Sequence, residues 1–324
     1  MNHISRLTRR TCIIAFALIC EIAVAQKYPD RPIRLVIPYS PGGGTDNLIR
    51  AIAPQVGTVL GQPFIIENRP GGATMIGTEA VVKSAPDGYT LLANDSAIFV
   101  NPGLFKARMP FDTLKSLQGV TMMASAPVIL VVHPSVPAKN LGELLALARS
   151  KPGSLNYASG GSGTSTHLAG ELMKQAAKVS IMHIPYKGTS PALNDLLAGT
   201  VHMQFAGIST VRQHVAAGRL RAIALTGAQR SPAMPEVPTF VENGLSVDAD
   251  SYWGVYAPAG MSKDLVTQVS QALAQVLKNP VNAQKLADLG YLPIANTPAE
   301  HTEQLTSMVK TWTEVVDKGG IQVE

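Results

Sequence analysis

The chain has 324 residues and a mass of 34.2 kDa, is 46% hydrophobic and only 15% charged, and carries a formal net charge of +5. That much apolar material supports a sizeable core and excludes a disordered chain, and the length suggests about two domains. Scarce aromatics (7 Phe, 8 Tyr, 2 Trp) and the absence of any run of like charges argue against a nucleic-acid binder.

The N-terminus reads as a secretory leader. Arg6, Arg9 and Arg10 precede the apolar run CIIAFALIC at residues 12–20, and Ala23-Val24-Ala25-Gln26 supplies a small-x-small cleavage pattern. Residues 1–25 are therefore expected to be a signal peptide directing the chain to the periplasm. Nine apolar residues fall short of the roughly 20 that span a bilayer. Both cysteines, Cys12 and Cys20, lie in this leader, so the exported chain relies on its core rather than on disulfides.

Beyond the leader, strand-like and helix-like segments alternate. Residues 33–39 (IRLVIPY) form a strand, and a Gly-rich turn leads into a helix with Leu48, Ile49, Ile52, Val56 and Leu60 on one stripe, closed by Gly61. Residues 64–67 and 90–93 are short strands, and 128–133 (VILVVH) a buried one. Asn140-Leu-Gly-Glu143 caps the next helix. Residues 155–158, 181–184, 201–205 and 222–226 repeat the strand theme with helices between them. Val266, Val269, Leu273 and Val276 mark an amphipathic helix. Thr297-Pro298-Ala299-Glu300 is a capping box opening a last helix to about Asp317. This alternation predicts α/β layers with largely parallel sheets.

Two segments share a strand, a Gly-rich loop and a helix: LVIPYSPGGGTDNLIRAI (35–52) and LNYASGGSGTSTHLAGEL (155–172). Their glycines let backbone N–H groups approach a ligand, and the helix start behind each loop favours an anion. Asp46 or Thr45 can cap the first helix. Ser162, Thr164, Ser165 and Thr166 add hydroxyls suited to a carboxylate. Tight turns with local capping would give the same pattern. The first loop is neither a P-loop nor a G-x-G-x-x-G fingerprint, since Asn47 occupies the last position. Further strand-to-helix turns occur at Asn68–Ala73, after Asn94 and at Tyr186–Thr189, where Lys187 offers a positive charge. In open α/β sheets such turns gather beyond the carboxyl ends of the strands. Ser165 with His167 suggests a hydrolase alternative, although G-x-S-x-G is absent. Six histidines beyond the leader show no metal-ligand spacing, leaving a metal-binding receptor as a third, weaker reading.

Taken in order, YPDRPIRLVIPYSPGGGTDNLIR, NRPGGATMIGTEAVVKSAPDGYTLL, the stretch from VILVVHPSVPAKN to TSTHLAGEL, HIPYKGTSPALNDLLAGTVHMQF and AGRLRAIALTGAQRSPAMPEVPTFVENGL resemble the Bug family of tripartite tricarboxylate transporter receptors. The resemblance covers almost the whole chain after the leader. It implies a type II periplasmic binding protein fold, two α/β domains with a ligand cleft between them: residues 26–125 plus 251–324, and residues 126–250. Crossings are expected at 120–132 and 252–258. It further implies a solute receptor rather than an enzyme, without cofactor or metal. Such a receptor would close by a hinge on a small carboxylate and deliver it, as a monomer, to a membrane permease or a sensor. Carried over, the ligand contacts are Tyr39, Ser40, Gly42 and Gly43; Gly72, Ala73, Asp95 and Ser96; and Ser159, Gly163, Thr164 and Ser165. Two departures stand out. The second turn reads Gly71-Gly72-Ala73-Thr74, and Ala206 replaces a polar residue expected at the cleft, which implies a less polar distal pocket.

Overall fold

A computed structural model describes residues 28–322. The leader, its two cysteines and the expected cleavage point lie outside the described residues. Two mixed sheets organise the chain. The first has six strands in the order β11-β4-β10-β3-β1-β2, and the second has five in the order β7-β6-β8-β5-β9.

β1 (Ile33–Ile37) has apolar residues on both faces and takes parallel neighbours on both sides, β2 (Phe64–Asn68) and β3 (Thr90–Asn94). α1 (Gly44–Leu60) buries Leu48, Ile49, Ile52 and Val56, the stripe expected from sequence, and ends on Gly61 in the left-handed conformation, φ 78°. Fully burying such side chains contributes about 1.5–3 kcal/mol each. The helix starts one residue before the predicted caps. Gly43 is its N-cap, and Asp46, inside the first turn, reaches back to accept the Gly42 N–H at 2.9 Å. α2 (Met75–Val82) and α3 (Ala97–Phe105) follow β2 and β3, and the short α4 (Thr113–Ser116) leads into β4 (Leu117–Ala126).

β4 passes into β5 (Val128–Val132) across Pro127 alone, carrying the chain from the first sheet to the second. There α5 (Leu141–Ser150), capped by Asn140 as expected, precedes β6 (Asn156–Ser159), α6 (Ser165–Ala177), β7 (Met182–Pro185) and α7 (Thr189–Leu197). β8 (Met203–Gly207), α8 (Ile208–Ala216) and β9 (Arg221–Leu225) complete that sheet. The chain returns on β10 (Ser251–Pro258), which runs antiparallel between β3 and β4. α9 (Lys263–Leu277), α10 (Pro280–Asp288), the two-residue β11 (Leu292–Pro293) and α11 (Pro298–Gly319), with its Thr297–Glu300 capping box formed, pack back on the first sheet.

The sheets are less parallel than the alternation predicts. β6 is parallel to β7 and β8, but β5 is antiparallel to β8 and β9, and β10 to both its partners. Apart from the two-residue β11, antiparallel to β4, the exceptions are the strands on which the chain leaves and re-enters a sheet. These strands are not connected by a crossover helix, so nothing forces them parallel.

Candidate functional site

The carboxyl ends of strands from both sheets point toward one cleft, and the helices that follow them begin there. A small inner cavity of about 30 Å³ is lined by Gly43, Gly44 and Thr45 at the start of α1 and by Thr164, Ser165 and Thr166 at the start of α6. Thr189 opens α7, Gly207 precedes α8, and Asp95 lies two residues before α3. Five helix N-termini thus surround one cavity. First-turn N–H groups have no carbonyl within their own helix to bond, and the helix dipole places partial positive charge there. Among the described residues, no Lys, Arg or His lines this cavity. Its positive character comes from backbone.

Local hydrogen bonds hold the loops in shape. Asp46 is buried and bonds Gly42 N–H, the Asn68 amide at 3.0 Å and Arg50 at 2.7 Å. Burial would raise its carboxyl, but Arg50, Gly42 and Asn68 outweigh that and hold it below the usual range. In the second loop Thr164 caps α6 by accepting from His167 N–H, and Thr166 accepts from Gly160 N–H at 2.9 Å. Ser159 accepts Gly161 N–H at 3.1 Å and bonds His183 Nε2 at 2.7 Å. His183 stacks on His167, whose Nδ1 bonds Gly163 N–H. Burial pushes His167 down to about 4 and His183 to about 3, so both rings are neutral and the loop rests on uncharged imidazoles.

Asp95 is the acidic element. It is nine-tenths buried, and burial pushes its carboxyl up to about 6. Tyr39 donates its hydroxyl to Asp95 at 2.5 Å and is itself pushed far up by burial and by that carboxylate.

An outer chamber of about 320 Å³ adjoins the cavity and shares Tyr39, Gly160 and Thr164 with it. Gly71 to Thr74 line one side, Gly161, Ser162 and Lys187 the other, with Arg108 and Phe105. All four residues from Gly71 to Thr74 have positive φ. For Ala73 and Thr74 this costs about 1–3 kcal/mol each, and Asn101 holds the turn by donating to Ala73 O at 2.7 Å. The cleft is shut over the inner cavity: Ser40 N–H bonds Lys187 O at 2.9 Å, Ser165 bonds Ser251, and the Tyr291 hydroxyl joins Gly44 O at 2.7 Å to Ser209 at 2.8 Å. A water needs about 10–15 Å³ by this measure. The inner cavity therefore has room for about two waters, and the outer chamber for an organic molecule.

Of the residues singled out from sequence, Tyr39, Gly43, Asp95, Thr164 and Ser165 line the inner cavity, and Tyr39, Gly72, Ala73 and Thr164 the outer chamber. Ser40, Gly42, Ser96, Ser159 and Gly163 support it from behind. Ser40 and Gly42 lie against the opposite loop, and Ser96 accepts from Tyr252 N–H. Ser159 faces His183, and Gly163 abuts Asn101. Ala206 does not face the cleft. It is fully buried in the core beside Ile129, and Gly207, one residue on, lines the cavity instead, because adjacent strand residues face opposite ways. The hydrolase pair does not assemble. Ser165 bonds Ser251 while His167 turns into the His183 stack, since residues two apart on a helix point about 200° apart. Sequence reasoning passed over Ser251, Trp253 and Arg108, named Thr189 only within the Tyr186–Thr189 turn, and chose Ala206 rather than Gly207. Thr189 and Gly207 carry the same strand-to-helix signal as the glycine loops; Ser251 carries none.

A two-sheet α/β protein with its ligand-sized space walled by both halves and by helix N-termini is a solute-binding protein. Residues 48–321 match the family model described as tripartite tricarboxylate transporter family receptor. Protein BugT of Bordetella pertussis is 34% identical over the full length of both chains. A structure from R. palustris with adipate superimposes with a TM-score of 0.88 at 31% identity, covering 91% of this chain and 99% of that one. MatC from Rhodopseudomonas palustris with bound malate gives 0.84 at 28%, covering 89% and 100%. The chain belongs to the tripartite tricarboxylate transporter receptor family. It has the two-domain periplasmic binding protein fold and is a solute-binding receptor.

Proposed function

We propose that this receptor captures a small organic carboxylate and closes around it by a hinge. The bound acid would then pass to a membrane permease of the tripartite type, or be reported to a sensor. The observation that carries the ligand class is the convergence of five helix N-termini on a cavity without basic side chains. Such a site binds an anion through oriented N–H groups and hydroxyls. Adipate and malate in the related structures support the same class. The carboxylate would lie in the outer chamber against Tyr39, Gly72, Ala73 and Thr164. It would reach Gly43, Asp95 and Ser165 directly or through water in the inner cavity. Ser40, Gly42, Ser96, Ser159 and Gly163 would shape the loops.

The hinge divides the chain into residues 26–125 plus 251–324 and residues 126–250, with the β4–β5 passage and the return onto β10 as the two crossings. Binding proceeds without chemistry on the ligand, and the protein works as a monomer in the periplasm after removal of residues 1–25. Among the described residues no helix is long and apolar enough to cross a membrane.

The test is a thermal-shift screen of the exported chain, stripped of ligand by partial unfolding and dialysis, against mono-, di- and tricarboxylates. A ligand at 100 times its Kd adds about 2.7 kcal/mol, at roughly 2–4 °C per kcal/mol. A saturable shift with one acid class, the acid recovered unchanged, is expected. Folded, ligand-free protein that responds to no acid would refute the reading.

A further inference from the structure

Asp95 is an acid in a cavity otherwise built for an anion. Among the described residues, Oδ1 accepts from the Tyr39 hydroxyl at 2.5 Å and Ala97 N–H at 2.9 Å, and no other residue donates to Oδ2. The residue is nine-tenths buried and lines the inner cavity. The ionisable groups facing it are Tyr39, from the loop after β1, and Tyr256, on β10; burial and Asp95 itself keep both as neutral phenols. α3 presents Ser96 and Ala97, and the opposite wall presents Ser165, Thr166 and Ser251, all uncharged. Arg108 and Lys187 line the outer chamber instead. An organic anion that reaches the inner cavity therefore meets a second negative charge, with no cation among the described residues that line that cavity. Two carboxylates sharing one site do not both stay ionised.

We propose that Asp95 takes up one proton from solvent when the ligand carboxylate binds, and donates it through Oδ2 in a hydrogen bond to that carboxylate or to a water it holds. The inference rests on the carboxylate-receptor reading. One proton is gained by Asp95, the ligand stays intact, and the complex carries one negative charge fewer than the sum of its ionised parts. Burial has already brought the carboxyl to about 6, so at pH 7 the ionised form is favoured only about tenfold. A bond from a neutral acid to a carboxylate is of the short, charge-assisted kind. Asp95 thereby sets which state the receptor binds from, and makes affinity follow the pH of its compartment.

The experiment is isothermal titration of the ligand-free protein with adipate and with malate from pH 6.5 to 8.5, in buffers of differing ionisation enthalpy. Wild type should take up close to one proton per ligand at pH 7.5, and its affinity should fall toward tenfold per pH unit, approaching a hundredfold over the range. Asp95→Asn, an uncharged mimic of the protonated acid, should bind with no proton uptake and a flat profile. Tyr39→Phe removes a bond to the ionised carboxyl, so its fall in affinity should begin at higher pH; this variant keeps the test independent of how well Asp95→Asn folds. A flat wild-type profile without proton uptake would overturn the proposal. So would folded Asp95→Asn that loses malate but keeps adipate, because Asp95 would then be reading the ligand hydroxyl. Failure of ligand-free wild type to bind any of the mono-, di- and tricarboxylates of the thermal-shift screen at pH 6.5 would instead refute the carboxylate-receptor reading itself.

Discussion

Gly163→Ala is expected to weaken ligand binding far more than it weakens the fold. Gly163 lies in the loop before α6 at φ 82°, and a Cβ there would sit 1.9 Å from Oδ1 of Asn101, on α3. The left-handed backbone alone costs an alanine about 1–2 kcal/mol in either an open or a closed arrangement. The clash is different, because Asn101 belongs to the part of the chain that carries the first sheet, and Gly163 to the part that carries the second. Asn101 cannot swing aside freely: its amide donates to Ala73 O at 2.7 Å and to Thr74 Oγ1 at 3.3 Å, and its side chain is buried. Breaking those bonds costs about 1–3 kcal/mol, and only when the cleft shuts. Affinity should therefore drop roughly 5- to 150-fold, at 1.4 kcal/mol per tenfold, while the unliganded protein melts only a few degrees lower. Titration with adipate and malate alongside a thermal melt measures both. Asn101→Ala removes the obstructing oxygen, so Gly163→Ala should cost much less in that background, a coupling that a double-mutant cycle reads directly. Unchanged affinity in Gly163→Ala, or an equal loss in both backgrounds, would refute the reasoning.

Acid should destabilise the protein through its buried imidazoles. His301 is fully buried between Gly119 and Gly254, has no hydrogen-bond partner at either nitrogen among the described residues, and is pushed by burial down to about 3. The unfolded chain binds this proton near 6.5 and the native state does not, so stability falls as pH drops from about 6.5 toward 3 and levels off below, by roughly 4–5 kcal/mol in the limit. Asp95 works in the opposite direction between its unfolded value and about 6. His301→Leu should therefore flatten the acid limb in urea titrations at pH 7 and pH 4; an unchanged limb would show the ring is charged in the native state. Tyr291→Phe removes the hydroxyl that ties Gly44 O to Ser209 across the cleft, and should weaken binding by about 1 kcal/mol, some fivefold, with little effect on the melting curve. Gly170→Ala places a Cβ 2.3 Å from the Tyr157 ring inside the core and should cost about 1–3 kcal/mol of stability in a denaturant titration. Ser165→Ala and wild type should be equally inert toward simple esters, since Ser165 bonds Ser251 and not an imidazole.

Local chemistry was legible because it is written within a few residues. The stripe of α1, its Gly61 terminus, the Asn140 cap and the Thr297–Glu300 box each depend on neighbours three or four positions apart, and each appears in the structure. Residues 35–52 and 155–172 share a strand, a glycine loop and a helix, and both helix starts meet at the inner cavity. Where sequence reasoning failed, the missing term was geometry. Ala206 and Gly207 are adjacent, and only the register of β8 against β5 decides which of them faces the cleft. Ser165 and His167 look like partners on paper, yet the turn of α6 sends them to different neighbours.

The sequence by itself determined the class of fold, the main helices, the Asn140 cap and the Thr297–Glu300 box, and the glycine loops at the helix starts, because periodicity and turn chemistry are local properties of the chain. Only the tertiary structure decided the rest. It brought Ser251, Trp253, Thr189 and Gly207 to the same cavity as Gly43 and Thr164, shut the cleft through bonds such as Ser40 to Lys187, and set Asp95 among uncharged groups at the cavity wall. Burial and the meeting of two sheets depend on residues far apart in the chain, and no short window of sequence contains both partners.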